Sequence, residues 1–129
     1  MKTVRKIISI AIQDNKLLMI RLKGGNEWSF VEISKGNWQT EERALTGKFQ
    51  KEIGCPVEVL RRIGDFKRKD SDISFSAFQV ELKGPIFVRN QEIEEWRYMT
   101  REDATRIDIK YPLREEVIPA CVKAGILKW

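Results

Sequence analysis

"TEERALTGKFQKEIG", residues 40–54, decides how this chain is read. Thr40 is a good N-cap, and Glu41 and Glu42 follow it in a first turn where carboxylates suit the helix dipole. Leu45, Phe49 and Ile53 fall four apart and form one apolar stripe. Gly54, with Pro56 behind it, stops the helix at about Ile53. Lys48, Lys51 and Glu52 stand at i, i+3 and i+4, so they share a second face.

The flanking sequence supplies strands. "RKIISIAIQDNKLLMIRLK" reads as two strands around a tight turn at Asp14 and Asn15, residues that tolerate turn geometry. "KGGNEWSF" is a glycine loop entering a short strand with Trp28 and Phe30, and "VEISKGNWQ" reads as irregular. Beyond the helix, "CPVEVLRRIGDF" and "ISFSAFQVEL" read as strands joined by the charged tip "KRKDSD". "KGPIFVRNQEIEEWRYMT" holds a loop and a strand ending near Met99. Thr100 caps a short helix. "YPLREEVIPACVKAGIL" is a last helix, with Leu113, Val117 and Cys121 four apart and Pro119 expected to kink it. This order is α+β, an α/β/α sandwich with a mixed sheet between helices, in one domain spanning residues 1–129.

Composition removes several chemistries. Histidine is absent, which excludes Ser-His-Asp and Cys-His catalysis and imidazole metal sites. Cys55 and Cys121 lack metal or redox spacing and are expected as free buried thiols in a reducing cytoplasm. No apolar run is long enough for a bilayer and no export signal follows Met1, so a cytoplasmic protein without a membrane partner is expected. A net charge of +5 favours anionic ligands, though a basic, well-solvated surface explains it equally simply. "RRIGDFKRK", residues 61–69, is the densest basic patch. Phe66 lies within it, so RNA contact is one reading and a solvated hairpin edge the other. Trp28 and Trp96 are expected in the core, and Trp38 is the better candidate to stack on a ligand base.

Trp28-Ser-Phe, an irregular loop, an N-capped helix and Glu52-Ile53-Gly54, taken in order, resemble the Nudix hydrolases over nearly the whole chain. That family's box closes with Arg-Glu, a bulky apolar residue, any residue, Glu-Glu, any residue, Gly and a bulky apolar residue. Anchored on Gly54, its Glu-Glu falls on Lys51 and Glu52, its apolar position on Phe49 and its Arg-Glu on Gly47 and Lys48. Its first Gly falls on Ile33 and its first Glu on Gln39. The resemblance implies water attack on a nucleoside diphosphate derivative, with Mg2+ or Mn2+ held by carboxylates on one helical face. Here the positions corresponding to three glutamates are Lys48, Lys51 and Glu52. One carboxylate beside two ammonium groups is a poor cation site, disfavoured by roughly one to a few kcal/mol per ammonium.

Three readings stay open. In the first the metal site is eroded, turnover is weak or absent, and a nucleotide or other diphosphate ligand is bound without metal by Lys48 and Lys51, with Trp38 and Glu32 as further ligand-binding residues. In the second, hydrolysis survives with Mg2+ or Mn2+ on Glu52 in a rebuilt site that draws on Glu32 or on one of Glu92, Glu94 and Glu95, placed on a loop. There Glu52 is both catalytic residue and metal ligand. Helix-dipole compensation explains Glu41 and Glu42, and a solvated turn would explain "EIEE". In the third, the scaffold serves protein or RNA contact. The resemblance also implies a homodimer.

Overall fold

The computed structural model describes residues 4–35, 38–68 and 72–129. β1 (Val4–Gln13) and β2 (Lys16–Leu22) form the expected hairpin. Its turn is possible because Asp14 and Asn15 take φ of 52° and 60°, a left-handed conformation these two residue types tolerate. β3 (Glu27–Ser29) and β4 (Val31–Ser34) follow, then α1 (Glu41–Ile53), β5 (Val57–Lys67) and β6 (Ile73–Leu82). β7 (Ile93–Met99), α2 (Arg101–Thr105), β8 (Asp108–Ile109), a π-helical turn (Leu113–Val117) and α3 (Ile118–Lys123) complete the order.

The strands make one mixed sheet with two arms. β1 pairs in parallel with β6 and antiparallel with β4, and β5 pairs antiparallel with β6 at the edge. β2 carries β7 and β3, and β3 pairs in parallel with β8. β1 and β2 pair only at the turn end, Ile12 with Leu17 and Gln13 with Lys16, so the arms diverge from there.

Alternation along β1 and β2 divides the core into two layers. Ile7, Leu18 and Ile20 pack with Leu45, Phe49 and Ile53 of α1, while Ile8, Ile10 and Met19 pack with Leu113, Val117 and Cys121. The result is the helix–sheet–helix sandwich expected. Both cysteines are buried free thiols, and burial pushes the Cys121 thiol up to about 11. Among the described residues no helix is long and apolar enough to cross a membrane.

Four expectations are corrected. Residues 31–34 are a strand, because Val31 and Ile33 bury their side chains while pairing with β1. Glu94 and Glu95 lie on β7, with only Glu92 on the preceding turn. Trp96 is 42% exposed and meets Tyr98 edge-on outside the core, whereas Trp28 is buried as expected. The last helix opens as a π-helical turn and becomes α-helical only at Ile118, with Pro119 in its first α-helical turn. Residues 69–71 of the "KRKDSD" tip lie outside the described residues.

Candidate functional site

α1 is fixed at both ends. Thr40 Oγ1 accepts from the Arg43 amide at 3.2 Å, and Gly54 ends the helix at φ 71° with its amide on Gln50 O at 2.9 Å. The last carbonyls of a helix lack intrahelical partners. Here the segment before β7 supplies them. Phe87 N donates to Ile53 O at 3.0 Å, and Arg89 N and Asn90 N donate to Glu52 O at 2.8 and 3.1 Å. Gly54 permits this close approach, since a Cβ there would stand 2.1 Å from Phe87 O.

Glu52 therefore has a pinned backbone, and its side chain lines a cavity of about 170 Å³ with Glu32, Asn90 and Glu92. Glu32, the polar residue between Val31 and Ile33, points its carboxylate at Lys110 Nζ, 2.7 Å away, and at Lys6 Nζ, 3.7 Å away. Asn90 shapes the wall, its Oδ1 accepting from Glu92 N at 2.9 Å in an Asx turn.

The lysines stand elsewhere. Lys48 donates from Nζ to Ser34 O, bridging α1 to the end of β4. Lys51 is exposed and without a hydrogen-bond partner among the described residues. Lys35 Nζ donates to Gln39 O at 3.2 Å in the same β4–α1 junction. Trp38 is 99% exposed there. Thus Glu32 and Glu52 are brought together, while Lys48, Lys51 and Trp38 do not line their cavity. Glu41 pairs with Arg5 at 3.4 Å, a structural role.

The residues do not fit the implied Mg2+ or Mn2+ shell. Glu32 faces two ammonium groups, and Lys48 and Lys51 occupy the two other positions of the implied glutamate face. Among the described residues no three acidic or thiol side chains are grouped as a metal site.

The basic patch is partly neutralised. Arg62 pairs with Asp65, which also meets Arg5 at 2.5 Å. Burial acts to raise the Asp65 carboxyl, yet Arg62 and Arg5 together hold it below the usual range. Arg62 also lies 6.0 Å from the Phe78 ring centroid, and Phe66 is partly buried and packs against the core.

Sequence reading missed Lys110 and Lys6, because nothing local marks a lysine whose partner lies on a distant strand. Asn90 carried a signal, an Asn two residues ahead of an acidic turn.

No family model matches the sequence, and no curated protein matches it. Solved structures do. A UDP-X diphosphatase superposes with a TM-score of 0.82 at 16% identity, over 97% of this chain. The chain spans 64% of that protein's length. An ADP-ribose pyrophosphatase from Streptococcus suis gives 0.79 at 16% identity, covering 99% of this chain and 96% of that one. A NUDIX hydrolase from Nitrosomonas europaea gives 0.82 at 12% identity, covering 99% and 97%. At these identities the likeness is one of fold.

Proposed function

On the Nudix fold that the chain shares with these structures, we propose that it binds a nucleoside diphosphate derivative at the β4–α1 junction, with lysines in place of a carboxylate-held metal. The observation that carries this reading is Lys48. Its ammonium bridges to Ser34 O at the end of β4, on the helical face of Glu52, where the family resemblance implies a carboxylate. An ammonium has three protons to donate, so one bond to a carbonyl leaves two for phosphate oxygens. Lys51 stands beside it with its charge unpaired among the described residues, and Trp38 offers a ring to a base. ADP-ribose and UDP derivatives, the ligand classes suggested by the names of the neighbouring structures, are the first candidates. A cytoplasmic setting belongs to this reading.

Calorimetric titration with ADP-ribose and a UDP-sugar, in the presence of a chelator, tests it. Binding should be saturable and weakened at least tenfold by Lys48→Glu with Lys51→Glu. Equal affinity in the native protein and that variant would sink the proposal.

One observation favours a second reading. Glu52, Glu32 and Glu92 line one cavity, so a weak hydrolase centred on Glu52 would have carboxylates at hand. A panel of nucleotide substrates with added Mg2+ or Mn2+ separates the two. Turnover lost in Glu52→Gln would establish the hydrolase.

A further inference from the structure

We infer that the groove between α2, α3 and Trp129 is a second binding site, built for a small planar organic anion such as an aryl phosphate or a mononucleotide. The groove encloses about 430 Å³ and shares no residue with the Glu52 cavity. Ile118 and Val122 of α3 give it an apolar floor, and Val122 is 38% exposed. Arg101, Arg114 and Lys123 bring three cations to it, and among the described residues no acidic side chain lines it. None of the three forms an ion pair among the described residues.

Two features are pre-positioned. Arg114 Nη2 donates to Ala104 O at 2.6 Å and to Ile107 O at 2.8 Å. These bonds hold the guanidinium plane and leave its other N–H groups without partners among the described residues. Trp129 is seated by the hairpin turn of β1 and β2. Its Nε1 donates to Asn15 O at 2.8 Å, while the Asn15 amide group donates to Lys128 O at 2.9 Å and accepts from Lys128 N at 2.7 Å. One hydrogen bond from the indole and two that fix the Lys128 backbone thus hold Trp129 against a groove of cations that form no ion pair among the described residues. A flat ring stacks on the indole and the apolar floor, and an anionic substituent meets the guanidinium and ammonium groups. An apolar ligand alone would leave the cations unmatched, and a bare inorganic anion would leave the ring and floor uncovered.

Nuclear magnetic resonance titration of the full chain tests this, with phenyl phosphate as probe and inorganic phosphate and benzyl alcohol as controls. The indole N–H signal of Trp129 is identified by its loss in Trp129→Phe. Phenyl phosphate should shift it saturably, with at least tenfold higher affinity than either control. The exposed pair Arg101→Gln and Lys123→Gln should weaken that affinity at least fivefold, and Glu52→Gln should leave it unchanged. A response to phenyl phosphate no stronger than to inorganic phosphate would overturn the proposal, as would full affinity in the Arg101→Gln, Lys123→Gln variant. Loss of affinity in Glu52→Gln would place the ligand in the other cavity and overturn it equally.

Discussion

Lys110 Nζ lies 2.7 Å from the carboxylate of Glu32, a residue that lines the Glu52 cavity, and ties the segment after β8 to β4. Both groups are largely shielded, with side-chain exposures of 28% and 20%, so the pair holds its geometry. An ammonium so placed competes with any cation for Glu32.

That competition is measurable. The native protein should give weak, unsaturable Mn2+ broadening of the amide signals around Glu52. Lys48→Glu, Lys51→Glu and Lys110→Met together should create saturable broadening there. Removing three nearby positive charges and adding two carboxylates changes the site by several kcal/mol at an effective dielectric constant of about 20. Native protein that binds Mn2+ as tightly as the triple variant would contradict the misfit described for this site.

Gly54→Ala should cost roughly 2–4 kcal/mol, combining left-handed backbone strain with a steric clash. The residue sits at φ 71°, and its new methyl would stand 2.1 Å from Phe87 O, a backbone atom that cannot swing aside. Urea denaturation measures the loss. A change below about 0.5 kcal/mol would show that residues 87–90 do not grip the helix end.

Asp103 supplies a pH-dependent contribution. The Thr100 amide and hydroxyl, bonded in a capping box, hold its carboxyl below the ordinary aspartate range. A lowered folded-state pKa stabilises the fold above the unfolded value of about 3.9, and that stabilisation is lost as pH falls through the folded value. The stability difference between the native protein and Asp103→Asn should be constant from neutral pH to about 5, then shrink at lower pH. A difference unchanged down to pH 2 would refute this origin.

Cys121 should be inert in the folded protein. Its thiol is fully buried and raised to about 11, so at pH 8 roughly one molecule in a thousand carries the thiolate there. Iodoacetamide should leave both cysteines unmodified in buffer at pH 8 and alkylate both in denaturant. Rapid alkylation of Cys121 in the native protein would show that the α3 layer opens readily.

The sequence disclosed the elements whose causes are local. Thr40 and Gly54 bracket α1, and the turn at Asp14 and Asn15 carries its own backbone preference. It concealed β4, because four residues followed by Lys, Gly and Asn read as irregular until β1 is there to pair with them. Trp96 misled for the opposite reason. An aromatic in a strand reads as core, yet on β7 the buried ends are Ile93 and Met99. In the site, the face shared by Lys48, Lys51 and Glu52 was legible from helical spacing. The engagement of Glu32 by Lys110 was not, since it depends on tertiary placement alone.

β1 lies at the centre of its arm, with a parallel neighbour, β6, that begins only at Ile73. A chain emerging from the ribosome can close its first hairpin early, but that hairpin's other edge stays unpaired until β6 has been made. The helix of the candidate site is synthesised in the interval, with its apolar stripe waiting for a finished floor. Nascent chains halted before residue 73 should therefore be protease-sensitive throughout, and resistance should not arise before β6 clears the exit tunnel.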